Sequence, residues 1–303
     1  MSALQMSSDV AVVRPRDVDT MTLPDMHPPA TVRSFGLTDR GKVRDRNEDQ
    51  FLIAVLRKAL DVQRTSLPQR KVQHGSDQGY LFVVADGMGG HAGGEQASAL
   101  AIDSVETFML ETFKWFFQFK GKEEDKLLAA FHSALGQANA RVLAEAAQHP
   151  ELRGMGTTLT LAYSLNDELF VAHVGDSRCY LCRDGIIHRL TRDHTLVEDM
   201  VRRGVLPAEE ADKHRWRHVI TNAVGGNDPE LKVEVHKVHL QAGDGVLLCS
   251  DGLTNMLADE EIARILETEV DPEQACRQLV AQANEAGGED NITVILGRYE
   301  SVS

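Results

Sequence analysis

Four aspartates stand at the ends of strongly apolar runs, each beside glycine or a turn-forming residue. Asp86 follows Tyr80-Leu-Phe-Val-Val-Ala85, Asp176 follows Leu169-Phe-Val-Ala-His-Val-Gly175, Asp251 follows Gly245-Val-Leu-Leu-Cys-Ser250, and Asp290 precedes Asn291-Ile-Thr-Val-Ile-Leu-Gly297. One Asp-Gly at a strand end is ordinarily a turn. Four are harder to explain that way, because carboxylates crowded on a buried rim repel one another unless cations neutralise them. The flanking glycines let the backbone approach an ion and lend a carbonyl oxygen. An all-oxygen donor set suits Mg²⁺ or Mn²⁺, whereas zinc would call for His or Cys.

The stretch Gly87-Met-Gly89-Gly-His-Ala92 also fits G-x-G-x-x-A, a dinucleotide-binding spacing. Three features weigh against that reading. Asp86 would face the pyrophosphate, the elements that follow are hairpins and not a βαβ unit, and the acids about 20 residues on, Asp103 and Glu106, lie inside a helical pattern.

The elements that must position these residues can be read from apolar spacing. Strands are expected at about 51–56, 80–85, 157–164, 168–174, 178–183, 233–239, 245–250 and 291–298. The short links Leu165-Asn-Asp-Glu168 and Arg183-Asp-Gly185 look like hairpin turns, which favours antiparallel sheets. In such a sheet the start of one strand lies beside the end of its neighbour, so all four aspartates can share one rim. Helical spacing runs from Ala97 to Met109 and from Leu127 to Val142, predicting an antiparallel pair laid on a sheet, and again from Pro272 to Ala283, ending at Gly287-Gly288. The segment 192–226 reads as irregular or short-helical, 57–79 as a hairpin insertion, and Phe113, Trp115, Phe116, Phe117 and Phe119 as a helix end tucked into the core. Residues 1–31, with Pro15, Pro24, Pro28 and Pro29 and no apolar periodicity, are expected to be a disordered extension ahead of one domain over 32–303.

Composition narrows the partners. A net charge of -14 would repel nucleic acid and anionic membranes. No apolar stretch approaches the roughly 20 residues of a membrane span. The N-terminus lacks the pattern of a signal peptide, so a cytoplasmic protein is expected. Cys179 and Cys182 have CxxC spacing, but positions three apart on a strand face opposite ways, so packing is expected of them. Cys249 and Cys276 read as small buried hydrophobes.

Six motifs, in this order and rough spacing, carry a resemblance. They are Arg44-Asp-Arg-Asn-Glu-Asp49, Asp86-Gly-Met-Gly-Gly90, Gly154-Met-Gly-Thr-Thr158, Gly175-Asp-Ser-Arg178, Ser250-Asp-Gly-Leu253 and Glu289-Asp-Asn-Ile-Thr293. Over about 33–298 the chain resembles the metal-dependent PP2C-type protein serine/threonine phosphatases, in their bacterial form. The resemblance implies an α+β fold, a four-layer α-β-β-α sandwich with a dinuclear Mn²⁺ or Mg²⁺ site at one rim. It implies that Asp86 bridges two ions, with the Gly87 carbonyl on one and Asp251 and Asp290 on the other. It further implies that Glu48 and Asp49 hold metal-bound waters, and that Asp176 joins Asp251 at a third ion. Arg44 would grip the substrate phosphate, which a planar guanidinium can take by two oxygens at once. The implied reaction is in-line attack on phosphoserine or phosphothreonine by a hydroxide bridging the ions, in opposition to a protein kinase, by a monomeric enzyme.

One position departs from many eukaryotic members, where a histidine thought to protonate the leaving alkoxide follows the Asp-Gly pair; here it is Met88. His91, three residues on, and a metal-bound water are the alternative donors. His173, inside a strand, reads as packed core. Residues 192–226 resemble the family's flap, whose Arg192, Arg202, Arg203, Lys213, Arg215 and Arg217 either receive a phosphoprotein or are simply solvated. His194 or His218 could approach the third ion. The rival readings are a catalytically silent regulator, expected to lack a metal aspartate or Arg44, and a dinucleotide-binding oxidoreductase. None of those residues is missing.

Overall fold

A computed structural model describes residues 31–61, 64, 72–89, 93–112, 124–226 and 230–300. The N-terminal extension, the aromatic cluster between Phe113 and Phe119, and His91 lie outside the described residues. Twelve strands form two antiparallel sheets among them. The five-stranded sheet runs in the order β1 (Thr31–Asp39), β12 (Ile292–Glu300), β11 (Gly245–Cys249), β7 (Arg178–Arg183), β8 (Ile186–Arg189). The other runs β10 (Glu234–His239), β6 (Glu168–Val174), β5 (Leu159–Leu165), β3 (Val72–Met88), β4 (Gly156–Thr157), β9 (Val224–Gly225), with β2 (Asp49–Asp61) on the free side of β3.

Alternation along the central strands builds the layers. On β3, Leu81, Val83 and Ala85 pack against α1 (Gly93–Thr112) and α2 (Glu124–Gln148), while Phe82 and Val84 point the other way into the space between the sheets. On β11, Val246 and Leu248 enter that same inter-sheet core, and Leu247 and Cys249 face α4 (Asp251–Thr254), α5 (Asp259–Thr268) and α6 (Pro272–Glu285). A period of two with both faces apolar requires cover on both sides. The result is the expected four-layer α-β-β-α sandwich of α+β class. Cys179 faces the inter-sheet core and Cys182 the outer helices, so the CxxC pair is packing.

The structure departs from the sequence reading in two places, the elements found and the rim the aspartates occupy, and agrees with the irregular, short-helical reading of 192–226. β1, β8 and α5 were not apparent from spacing: β1 and β8 are edge strands with half-exposed patterns, and α5 is a single amphipathic stretch of ten residues. The segment 192–226 contains α3 (Leu196–Arg202), a 3₁₀ turn (Ala208–Lys213) and β9, and is tied at its root by a bridge between Thr195 and Ile220. Most consequentially, the four aspartates do not share the rim of one sheet. Asp86 belongs to β3 in one sheet, Asp251 and Asp290 flank β11 and β12 in the other, and Asp176 sits where the chain crosses between them.

Candidate active site

Where the two sheets open at this end, a cavity of about 750 Å³ is lined by Arg44, Arg46, Glu48, Asp86, Gly87, Met88, Asp176, His218, Asp251 and Asp290, among others. Asp86 lies within β3, which continues two residues past it by pairing Gly87 and Met88 with Thr157 and Gly156 of β4. Its amide donates to the Thr158 hydroxyl at 2.9 Å, and its carbonyl accepts the Thr158 amide and the Thr157 hydroxyl, each at 2.9 Å. Thr158 in turn shares a 2.8 Å hydrogen bond with the Ser177 hydroxyl, coupling Asp86 to the turn that bears Asp176. The Gly154-Met-Gly-Thr-Thr158 motif therefore fixes the position of another motif's carboxylate.

Asp49 stands opposite Asp86 in the β2–β3 register. It is 2% exposed; its Oδ2 accepts from the Ser250 hydroxyl at 2.8 Å, and its Oδ1 has no protein partner. Ser250 also accepts the Thr293 amide at 2.9 Å, so the start of α4 is locked to β12. Asn291 organises the adjacent loop: its side chain accepts the Glu48 amide at 2.8 Å and donates to the carbonyls of Arg40 and Arg46 at 2.9 and 2.8 Å. Asn255 donates to Asp251 Oδ2 at 3.0 Å. These positioning residues, Thr157, Thr158, Ser177, Ser250 and Asn291, were not singled out from sequence. Their adjacency to the aspartates inside the six motifs was the only signal.

The electrostatics are those of carboxylates short of cations. Burial, followed by the charges of Asp49, Asp251, Asp176 and Asp290, pushes Asp86 well above the ordinary carboxylate range. Burial and then Asp251 do the same to Asp176, and burial with Asp290 raises Asp251. Asp49 is pushed up to about 7, first by burial and then by Asp251 and Asp290, against the hydrogen bonds from Thr293 and Ser250. Burial also raises Glu48. Arg44 sits in the cavity, but its guanidinium donates to Asp290 Oδ2 at 2.5 Å, and this bond is the main cause of its raised pKa.

The donor set fits hard divalent cations. Apart from His218, the titratable ligand candidates lining the cavity are carboxylates, the buried Asp49 Oδ1 lacks a partner, and Gly87 is pressed so close that an added Cβ would lie 2.2 Å from the Gly94 carbonyl oxygen and 2.6 Å from that of Glu48.

Of the histidines, His218 lines the cavity and His194 does not. His194 Nδ1 faces the Gly175 amide and the Asn222 side-chain amide, both at 3.0 Å, so its ring proton is on Nε2, 3.7 Å from Glu234. His173 is buried as expected, and both ring nitrogens are engaged: Nε2 donates to the Arg192 carbonyl at 2.9 Å and Nδ1 accepts from the Thr160 hydroxyl at 2.8 Å. His173, His194 and Glu234 each place one ligand-type atom within 4.8 Å of the others, but with both Nε2 atoms protonated the group is a hydrogen-bond knot at the flap root.

Two antiparallel sheets between helix layers, with an acidic cavity at one end of the inter-sheet core, define the class: an α-β-β-α sandwich whose cavity suits divalent cations. The protein phosphatase 2C family signature matches residues 68–294, and the chain belongs to that family. It is 33% identical over 265 residues to a serine/threonine phosphatase, stp, of Listeria innocua, covering 86% of this chain and 92% of that one. Among solved structures it resembles the serine/threonine phosphatase Stp1 from Staphylococcus aureus, with TM-score 0.73 and 30% identity, covering 92% of this chain and 100% of that one. It also resembles the catalytic domain of the phosphatase PstP in complex with two manganese ions, with TM-score 0.69 and 32% identity, covering 89% and 99%.

Proposed function

We propose that this chain is a metal-dependent protein serine/threonine phosphatase, acting on phosphoserine and phosphothreonine of protein substrates, with the cavity between the sheets as its active site. The observation that carries the reading is the convergence of Asp86, Asp176, Asp251 and Asp290 on one cavity with Asp49 buried beneath, more carboxylates than the two guanidinium groups of Arg44 and Arg46 can neutralise. Asp86, the Gly87 carbonyl, Asp251 and Asp290 would hold two Mn²⁺ or Mg²⁺ ions, Asp176 would serve a third, and Glu48 and Asp49 would orient bound water from behind. Such ions supply an acidified water as nucleophile and neutralise charge developing at phosphorus.

The protein's own part is to aim and to grip. Thr157 and Thr158 hold the Asp86 backbone, Asn255 orients Asp251, and the Asp290 carboxylate now occupies Arg44. With Asp290 engaged elsewhere, that guanidinium is released to take two oxygens of the substrate phosphate. His91 is assigned as a candidate proton donor to the departing alkoxide. The enzyme is taken to be a cytoplasmic monomer opposing a protein kinase, in one domain over 32–303 with its flap at about 192–226. No described helix is long and apolar enough to cross a membrane.

The test is hydrolysis of a phosphothreonine peptide with Mn²⁺ and after chelation, alongside Mn²⁺ binding measured directly by electron paramagnetic resonance. Turnover should require metal, and Asp86→Ala and Asp251→Ala should lose both turnover and tight Mn²⁺ binding. Full activity in either variant, or turnover indifferent to chelators, would remove this mechanism.

A further inference from the structure

Just before the flap re-enters the cavity wall at His218 and Ile220, the chain reads Lys213-His-Arg-Trp-Arg-His218: three Lys or Arg at alternate positions, two His and no acid. In a protein of net charge -14 this short run is basic, and it directly follows the acids Glu209, Glu210 and Asp212. The run is held in place. Arg217 and Val219 donate their amides to the carbonyls of His214 and Trp216 at 3.1 and 3.0 Å, and the Leu196 amide pins the Val219 carbonyl at 2.8 Å. Trp216 is 39% exposed, carries the Arg215 guanidinium over its ring at 4.4 Å and meets the edge of His214 at 5.3 Å. Lys213, Arg215 and Arg217 are exposed, and among the described residues none of them lies within ion-pair distance of a carboxylate; the flap's own pair is Arg202 with Asp199. Arg46, from the loop ahead of β2, adds another such cation to the lining of the same cavity.

We propose that this strip is a docking surface for Asp and Glu residues flanking the phosphorylated residue of the substrate, so that the enzyme selects phosphoproteins whose phosphosite lies in an acidic segment. The inference rests on the phosphatase reading and names its substrate class. Charge complementarity argues for it: an acidic segment is repelled by the net negative charge of the protein and finds exposed cations here, beside the cavity where its phosphate must enter. Three separate exposed cations, none with a carboxylate at ion-pair distance among the described residues, can each take one single charge of an acidic peptide. The stacked Trp216–Arg215 pair offers a flat apolar face on which that peptide's backbone can lie without desolvating the guanidinium edge.

The experiment compares three phosphothreonine peptides of one core sequence, with Asp/Glu flanks, with Asn/Gln flanks, and with Asn/Gln flanks plus a second phosphothreonine, alongside p-nitrophenyl phosphate. kcat/KM is measured for the intact chain and for the triple variant Lys213→Gln, Arg215→Gln, Arg217→Gln, and peptide Kd is measured by fluorescence anisotropy in an Asp86→Asn background. With three exposed pairs at work, the acidic peptide should be preferred over the neutral one on the order of 10-fold at low ionic strength. The preference should fall to about 2-fold or less in roughly 0.5 M salt, where screening is strong, and in the triple variant, while p-nitrophenyl phosphate hydrolysis is unchanged. No preference in the intact chain, a preference that survives the triple variant, or one confined to the second phosphate would overturn the proposal. Absence of p-nitrophenyl phosphate hydrolysis by the intact chain would instead sink the phosphatase reading, and the anisotropy measurement would still decide the strip.

Discussion

Thr158→Val tests whether the hydrogen-bond clamp on Asp86 governs metal binding. Valine matches threonine in shape, so no cavity opens at this fully buried position, and only the hydroxyl is lost. Two bonds go with it: the one accepted from the Asp86 amide at 2.9 Å and the one shared with Ser177 at 2.8 Å. Each leaves a buried polar group unsatisfied, costing about 1–3 kcal/mol, so a loss of roughly 2–6 kcal/mol is expected. For a domain of this size that is a fall in Tm of the order of 5–20 °C. Because the freed amide belongs to a proposed ligand, Mn²⁺ affinity should also drop about 10–100-fold, the usual cost of losing a group that orients a ligand. Thr158→Ser keeps both bonds and removes one methyl, for about 1 kcal/mol, and should bind metal normally. Calorimetric melting and Mn²⁺ titration followed by electron paramagnetic resonance read the two effects. If Thr158→Val binds Mn²⁺ as tightly as Thr158→Ser, the clamp is structural only and the coupling argued above is wrong.

Other expectations follow from the same geometry. Gly87→Ala would place its Cβ 2.2 Å from the Gly94 carbonyl oxygen, so α1 must shift away from β3, costing about 1–3 kcal/mol and weakening Mn²⁺ binding; a variant with unaltered melting and metal affinity would count against the close approach. Asp49, Asp86, Asp176 and Asp251 all have folded pKa values raised above those of the unfolded chain, so the folded state holds the extra protons and metal-free stability falls as pH rises through the carboxylate range to about 7 and beyond. Denaturant melts at pH 5.5 and 8 with chelator should show the metal-free chain weaker at pH 8, and Mg²⁺ should reverse the order; equal stability without metal would contradict the crowding of charge. His173 has the opposite sign: burial holds its pKa down to about 4, so its contribution is full above the unfolded value near 6.5 and is lost as pH falls from there toward 4. The stability gap between the parent chain and His173→Asn should therefore narrow between pH 7 and pH 5, and a constant gap would remove the ring from that account.

Much of the architecture was legible because it depends on local patterns. Runs such as Leu81–Ala85 and Val246–Cys249 are apolar on both faces, which requires packed layers on both sides, and the breaks at Leu165–Glu168 and Arg183–Gly185 turn the strands back on themselves. Edge strands escaped notice for the complementary reason: β8, with one neighbour and a half-exposed surface, has no strong pattern to read. The aspartates were recognisable because a carboxylate beside glycine after an apolar run is costly anywhere but a site. His91 lies outside the described residues, so its part in proton transfer rests on the proposal alone.

The chain by itself determined which groups are present and that they must be neutralised: carboxylates in number, two arginines, Arg44 and Arg46, ahead of Asn47-Glu-Asp49, and a short basic run within an acidic whole. Those are properties of residue type and near neighbours. Only the tertiary structure decided that Asp86 comes from one sheet and Asp251 and Asp290 from the other, that Thr158 and Ser177 tie the turn of Asp176 to β3, and that Arg44 pairs with Asp290 across 246 positions of sequence. Such pairings are set by how two sheets stack and which of their ends coincide. No spacing within the chain encodes that distance, because it is fixed by packing the whole inter-sheet core at once.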